Sequence, residues 1–243
     1  MDRSIARKYF LRRKKKKIAS IVALIGGIGV TILSILAFLV FQVDRFTIAT
    51  NDSELCLTID EDKSNQTTIL AAPPLLNAAD TQYSDIPETI DVGLGSKNDD
   101  HYFAYSFYLG GVNPSEDIEI INYSLSFTLD KVSNEIENAM KILIIRNNVR
   151  QVYAKADENG NPKPIYKGED HTNPSEIIGV TIPFEDNTHI IWRIYSIKPG
   201  NYDKFTIVMW IDGWESVNSM KGGVFQANLK FSTESKINKE KGE

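Results

Sequence analysis

Apolar and polar residues alternate along much of the chain with a period of two, which is typical of β-strands that bury one face. The pattern is clearest at 117–132, where apolar residues alternate with Asn, Ser and Thr at Ile121, Tyr123, Leu125, Phe127 and Leu129. Further β-prone runs occur at 55–59, 67–71, 101–111, 188–197, 204–214 and 222–232. Together these runs predict about seven to nine short strands separated by turns.

The connections between these runs favour antiparallel pairing. Residues 139–157 predict a β-hairpin with a tight turn at Asn147-Asn148, because asparagine tolerates positive φ. Residues 157–176 are polar and contain Gly and Pro, so they predict a surface loop. Since no amphipathic crossover helix is found, we predict an all-β, jelly-roll-like antiparallel β-sandwich. Its last two strands, 205–214 and 224–232, are expected to pair antiparallel and to place Phe225, Leu229 and Phe231 in the interior.

The segment 18–41 has a different pattern, with no charged residue in 24 positions. As a helix it would be about 36 Å long, which is sufficient to cross a bilayer, so we predict one transmembrane helix. The alternative is a signal peptide cleaved near Ala49, but the apolar run is longer than a signal-peptide core. Ala19, Ala23 and Gly27 recur every four residues and would form a helix–helix contact face, although small residues are common in such helices in any case.

Charge predicts the orientation of this helix. The first 17 residues contain nine basic residues and one acid, and six of the basic residues abut the helix: Arg12, Arg13, Lys14, Lys15, Lys16 and Lys17. The positive-inside rule places this end in the cytoplasm, where the block also contacts anionic lipid headgroups. Residues 18–243 carry a formal net charge of −13 and are expected to lie mainly outside. Because topology accounts for the basic block, we predict no nucleic-acid partner.

These patterns divide the chain into five segments. We assign residues 1–17 to a basic cytoplasmic tail, 18–41 to the transmembrane helix, 42–54 to a linker, 55–232 to the extracytoplasmic β-sandwich and 233–243 to a charged C-terminal tail. The prediction is therefore a single-pass cell-membrane protein whose acidic domain lies on the cell surface.

Two sequence runs resemble a known group of proteins. KFTIVMWIDGWESVNSMKGGVFQANLKFS (204–232) and NVRQVYAKADENGNPKP (148–164) are similar to the C-terminal strands and a hairpin of Gram-positive bacterial surface proteins. That group carries a SipW-type N-terminal signal or anchor and includes the biofilm-fibre and camelysin proteins. The resemblance implies an extracytoplasmic β-sandwich. The turn at Gly213-Trp214-Glu215 lacks the Pro and Cys that relatives often carry, and no clear cleavage site is found, which favours a tethered form.

The search for catalytic and metal-binding motifs is negative. The single cysteine, Cys56, excludes an internal disulfide and lies in an apolar run, which favours a packing role over intermolecular pairing. His101 and His171 each follow two acidic residues, but neighbouring strand residues point to opposite faces, and neither HExxH, CxxC nor GxSxG occurs. We predict no enzyme activity, no cofactor and no metal site, although weak Ca²⁺ binding by the acidic run 60–62 stays open.

Trp210 and Trp214 are the candidate contact residues for a protein partner or a sugar, since exposed tryptophans stack on both. The alternative is that Trp210 is a core residue. The function that fits best is a structural or interaction role at the cell surface, through matrix binding, self-assembly or partner binding. The other class is a carbohydrate-binding module or a hydrolase with a site built from loops. An unpaired edge strand would favour the first class, and a pocket of acidic groups and histidine the second.

Overall fold

The computed structural model describes residues 45–75, 78–112, 117–168, 171–186 and 189–238. Across these ranges the regular structure is β-strand with four short 3₁₀ helices, and no helix there has the length and apolar character needed to cross a bilayer. The predicted helix 18–41 and the basic tail before it lie outside the described residues. Both therefore stay predictions.

Fifteen strands are numbered in chain order. They are β1 (Phe46–Thr50), β2 (Leu55–Thr58), β3 (Ile69–Ala72), β4 (Asp80–Thr81), β5 (Gly95–Ser96), β6 (Tyr102–Gly111), β7 (Ile118–Val132), β8 (Met140–Arg146), β9 (Val149–Ala154), β10 (Pro164–Tyr166), β11 (Ile177–Val180), β12 (Ile182–Pro183), β13 (His189–Ile197), β14 (Tyr202–Asp212) and β15 (Phe225–Asn238). The 3₁₀ helices are Tyr83–Asp85, Ile136–Asn138, Pro174–Glu176 and Asn218–Met220.

The strands form two large sheets and one small one. The first sheet has the order β13-β7-β15-β1-β3. The second has the order β12-β9-β8-β14-β6-β2, with β4 beside β14 and β5 beside β6, and β10 pairs with β11 alone. Most neighbours are antiparallel, as predicted, while β1–β15, β9–β12 and β4–β14 are parallel.

The two large sheets pack face to face around one apolar core. Phe231 of the first sheet lies with its ring centroid 5.2 Å from that of Phe205 and 5.9 Å from that of Phe107, both in the second sheet. All three side chains are fully buried. Aromatic contacts of this kind add to the apolar area that the two sheets remove from water. The prediction of an all-β fold with mainly antiparallel sheets is confirmed.

Local patterns predicted the strands well. In β7 the residues Ile121, Tyr123, Leu125 and Phe127 are all buried, in agreement with the alternation in the sequence. The hairpin of β8 and β9 turns at Asn147 and Asn148, which have φ angles of 48° and 69°. Two successive positive φ angles are those of a type I′ turn, which matches the twist of the flanking strands.

The predicted pairing of 205–214 with 224–232 is wrong. β14 lies in the second sheet between β6 and β8, whereas β15 lies in the first sheet between β7 and β1. The turn after β14 therefore crosses from one sheet to the other. Leu229 and Phe231 are nevertheless buried as expected, and Phe225 is half-buried against the core. Alternation fixes which face of a strand is apolar but not which strand lies beside it.

The sandwich extends beyond both predicted boundaries. β1 lies in the segment predicted as a linker, 42–54, and pairs with β15 and β3 while burying Phe46 and Ile48. At the other end β15 continues to Asn238, inside the predicted charged tail. In both places a distant strand supplies the hydrogen bonds that fix an extended segment of polar composition. Cys56 is buried in β2, which confirms its packing position.

A second apolar cluster covers the outer face of the second sheet. Leu143 and Ile145 of β8 and Val208 and Trp210 of β14 point to this face. They are covered by apolar side chains from the segment 83–91, namely Tyr83, Ile86 and Ile90. Because of this covering segment, the second sheet is apolar on both faces along its central strands.

Candidate binding surfaces

Three ring side chains form a continuous stack at one end of the fold, which we call the Trp214 stack: Tyr166, His171 and Trp214. The ring centroids of Tyr166 and His171 are 4.1 Å apart, and those of His171 and Trp214 are 4.6 Å apart. The planes are nearly parallel, at 16° and 23°. Trp214 is 52% exposed. The indole ring of Trp214 is therefore exposed to solvent, and its stacking on His171 holds it in place.

The turn that carries Trp214 is held by its own backbone. Asp212 ends β14, and its Oδ1 accepts a hydrogen bond from Trp214 N at 3.0 Å. The Asp212 carbonyl accepts from Glu215 N at 3.1 Å and Ser216 N at 2.9 Å. Gly213 N donates to Thr81 O at 3.1 Å. These bonds satisfy the donors of the turn and orient the indole.

Gln82 links the indole to the loop that carries the rest of the stack. In the amide orientation that satisfies both of its ends, Gln82 Oε1 accepts from Trp214 Nε1 at 3.1 Å. The Gln82 amide nitrogen then donates to Gly168 O at 3.2 Å. Because an amide donates and accepts in one plane, a single side chain orients Trp214 and fixes it to the loop between Tyr166 and His171.

Four charged residues lie beneath the same turn. Lys141 of β8 hydrogen-bonds Asp212 Oδ2, and the two side chains are 4% and 5% exposed. Lys141 Nζ is also 3.2 Å from Glu215 Oε1. Lys163 Nζ is 2.5 Å from Glu215 Oε2 and donates to Asn138 O at 2.7 Å. Two cations thus face two carboxylates, which satisfies the charges without a net excess.

A second surface lies at the end of the first sheet, where β13 is the terminal strand of the sheet that the described residues form. Trp192, Ile194 and Ser196, which we call the β13 edge, point outward, and the first two are 45% and 51% exposed. Their partners on β7 are small polar residues, Ser126, Ser124 and Asn122. Ser196 Oγ donates to Asn122 Oδ1 at 2.6 Å. Two large apolar side chains therefore lie beside small polar residues on the outer face of the first sheet.

The inward side of β13 carries a charge. Arg193 lies over the ring of Tyr153 at 5.5 Å and donates to Glu185 Oε1 at 2.5 Å. Burial raises the pKa of Tyr153 to about 12, so its ring stays neutral under the cation.

The structure separates the two tryptophans predicted as contact residues. Trp214 is exposed, as the contact role requires, but Trp210 is 1% exposed. The prediction for Trp210 is corrected in favour of the alternative: it is buried in the second apolar cluster under the segment 83–91, and its ring centroid lies 6.2 Å from that of Tyr83. Because it is buried, Trp210 cannot contact a ligand directly. The predicted helix contacts Ala19, Ala23 and Gly27 and the basic block Arg12 to Lys17 lie outside the described residues.

Sequence reasoning missed three surface residues. Trp192 lies in a strand that was recognised, but the terminal position of that strand depends on sheet order. Tyr166 and His171 were placed in a polar loop, and their stacking on Trp214 joins segments distant in sequence. In the described part of the chain, no group of three or more His, Cys, Asp or Glu side chains is arranged to hold a metal ion.

The fold and these surfaces define a class: an all-β, two-sheet domain with exposed aromatic side chains on its surface. No family model matches the sequence, and no curated protein is significantly similar to it. A β-glucosidase from Kluyveromyces marxianus, solved in complex with glucose, is 13% identical with a TM-score of 0.20. The match covers 72% of this chain and spans 15% of the glucosidase chain. A similarity this low carries no argument about the function of this chain.

Proposed function

We propose that the protein is a single-pass, membrane-anchored cell-surface protein whose acidic, jelly-roll-like sandwich self-associates in a structural role rather than a catalytic one. The uncharged run 18–41 and the nine basic residues before it support the anchor, with the N-terminus cytoplasmic. The resemblance to Gram-positive surface proteins with a SipW-type signal or anchor agrees with an extracytoplasmic domain. The proposed partner is a second copy of this chain.

The β13 edge is the observation that carries the proposal. A nine-residue strand at the end of a sheet offers unpaired backbone groups to a further strand. Trp192 and Ile194 add apolar side chains on one face of that strand. An added strand would bury these side chains and satisfy the backbone at the same time.

The charge distribution permits a second copy to bind at the β13 edge. Residues 18–43 carry no charge, so residues 44–243 carry the whole formal charge of −13, and most approaches between two copies are repulsive. The face beside the β13 edge presents Ser124, Ser126 and Asn122 instead of acidic residues. Two copies can therefore meet there without the like-charge repulsion that operates elsewhere.

We expect the full chain in detergent micelles to sediment as an oligomer. The double variant Trp192→Lys, Ile194→Lys is expected to weaken association at least about tenfold, or about 1.4 kcal/mol, because it places charge on the edge. The matched control is Val149→Lys, which changes an exposed residue of the other sheet. Analytical ultracentrifugation over a concentration series provides the measurement.

Two results would contradict this proposal. One is a wild-type chain that stays monomeric at all concentrations. The other is association that survives in the edge variant and disappears in Gly27→Leu, since the contact would then lie between membrane helices.

Carbohydrate binding at the Trp214 stack is the second candidate. An exposed indole backed by two further rings is a rigid platform for the apolar face of a sugar ring, and Gln82 holds it in place. The two candidates separate in one assay on insoluble polysaccharide. If sugar binding is the function, Trp214→Ala loses retention while the edge variant keeps it.

A further inference from the structure

The ion pair of Lys141 and Asp212 is unusual because both of its side chains are buried. Lys141 points to the outer face of the second sheet, the same face as Leu143 and Trp210. Both the lysine and the aspartate are about 95% removed from solvent, at 4% and 5% exposure. A buried ion pair is costly to desolvate, and transfer of one proton along the hydrogen bond leaves a neutral amine beside a carboxylic acid. An amine and an acid in direct contact are the reactants of an amide bond.

A third group reaches the reacting nitrogen. Glu215 Oε1 is 3.2 Å from Lys141 Nζ, close enough to accept a proton from it. The other carboxylate oxygen of Glu215 is held by Lys163 Nζ at 2.5 Å, and Lys163 is itself fixed by Asn138 O. Glu215 is therefore oriented by groups that do not take part in bond formation.

We propose that Lys141 and Asp212 form an intramolecular isopeptide bond, with Glu215 as the catalytic residue that relays the protons. The Nζ–Cγ bond forms and one Cγ–O bond breaks. From the ammonium and carboxylate forms, the products are one amide and one water. Glu215 takes a proton from Nζ and passes it to the departing oxygen. Charge balances, and no oxidant, reductant or other reactant is needed.

The bond would join two strands that are already neighbours. β8 and β14 are antiparallel, with Met140 opposite Ile211 and Lys141 opposite Trp210, so the sheet holds the reactants together before reaction. Because the sheet holds the amine and the carboxyl group in contact, their effective concentration is high, and no cofactor is needed to activate the carboxyl group. The bond closes a loop of chain between residues 141 and 212 and restricts the unfolded state as a disulfide would. With one cysteine, the chain has no internal disulfide for this purpose.

Asp212-Gly213 could also lose water by another route, attack of Gly213 N on the aspartate to give a succinimide. That nitrogen donates to Thr81 O at 3.1 Å, so its hydrogen is engaged elsewhere. Loss of water alone therefore does not identify the product, and the test must locate the link.

The test is peptide mapping of the full chain by mass spectrometry after trypsin digestion. In the wild type we expect the segments 132–146 and 205–221 to appear as one branched peptide, lighter than their sum by one water and uncut after Lys141. In Lys141→Arg, which keeps the positive charge and the trypsin site, the peptides 132–141, 142–146 and 205–221 should appear separately at full mass. In Glu215→Gln the chain should fold, as judged by circular dichroism, and lack the link.

Several outcomes would overturn the proposal. Wild-type peptides at full mass would mean that the contact is an ion pair only. Loss of water confined to 205–221 and retained in Lys141→Arg would identify the succinimide. Complete formation of the isopeptide bond in Glu215→Gln would show that Glu215 does not take part in the reaction.

Discussion

Replacing Phe231 with alanine is expected to lower the free energy of unfolding by about 3–5 kcal/mol, because it leaves a cavity where four strands meet. The Phe231 ring packs against Phe205, Phe107 and Tyr123, with centroids 5.2, 5.9 and 6.0 Å away. These neighbours come from both sheets, so the lost contacts are those that hold the sandwich together. The loss is a large share of the roughly 5–15 kcal/mol that stabilises a domain. Urea denaturation followed by tryptophan fluorescence measures it.

The control lies one residue away on the same strand. Lys230 is exposed on the opposite face of β15, so Lys230→Ala should change the unfolding free energy by no more than about 0.5 kcal/mol. Equal midpoints for Phe231→Ala and Lys230→Ala would mean that the register of β15 is wrong.

The second large effect is expected at Asp203, which joins the two sheets through polar contacts. Its carboxylate accepts from Tyr123 Oη at 2.5 Å, Arg146 Nη2 at 2.8 Å and Asn147 Nδ2 at 2.6 Å. Burial and the adjacent carboxylate hold the pKa of Tyr123 well above its usual value, so its hydroxyl stays a donor. Asp203→Ala leaves all three donors without this acceptor. We expect a loss of about 3 kcal/mol in unfolding free energy.

Tyr123→Phe is the matched variant for this network. It removes one donor and leaves Asp203 bound to Arg146 and Asn147, so the expected loss is smaller, about 1–2 kcal/mol. If Asp203→Ala costs no more than Tyr123→Phe, the carboxylate is not the centre of the network.

Local sequence signals predicted individual strands and the Asn147-Asn148 turn because both depend on neighbours along the chain. The period of two in β7 reports which residues face the core, and paired asparagines permit the two positive φ angles of the turn. These signals act within a few residues, so a single sequence contains them in full.

Sheet order and surface exposure depended on contacts that local patterns do not contain. β1 was missed because its neighbour β15 begins far along the chain. Trp210 alternates correctly but is covered by the segment 83–91, and alternation cannot distinguish water from a covering segment. Trp192 was overlooked because an edge strand and a central strand have the same alternation.

The candidate sites also combine features that the local sequence indicates with features that depend on contacts between distant residues. The exposure of Trp214 agrees with its place in a polar turn, which the sequence indicated. Its stacking on His171 and the contact of Lys141 with Asp212 link residues 43 and 71 positions apart, respectively. Only the folded chain brings these groups together, so their chemistry was not open to sequence reasoning.

The proposed position of the β-sandwich outside the cytoplasm is tested by the activity of reporters fused after Glu243 in whole cells. Nine basic residues precede the uncharged run 18–41, so the C-terminal domain should lie outside. We predict that a phosphatase that folds only outside the cytoplasm is active in this fusion, while a fluorescent protein that matures only inside is dark. An inactive phosphatase together with a fluorescent protein fusion that matures would place the β-sandwich in the cytoplasm and overturn the proposed topology.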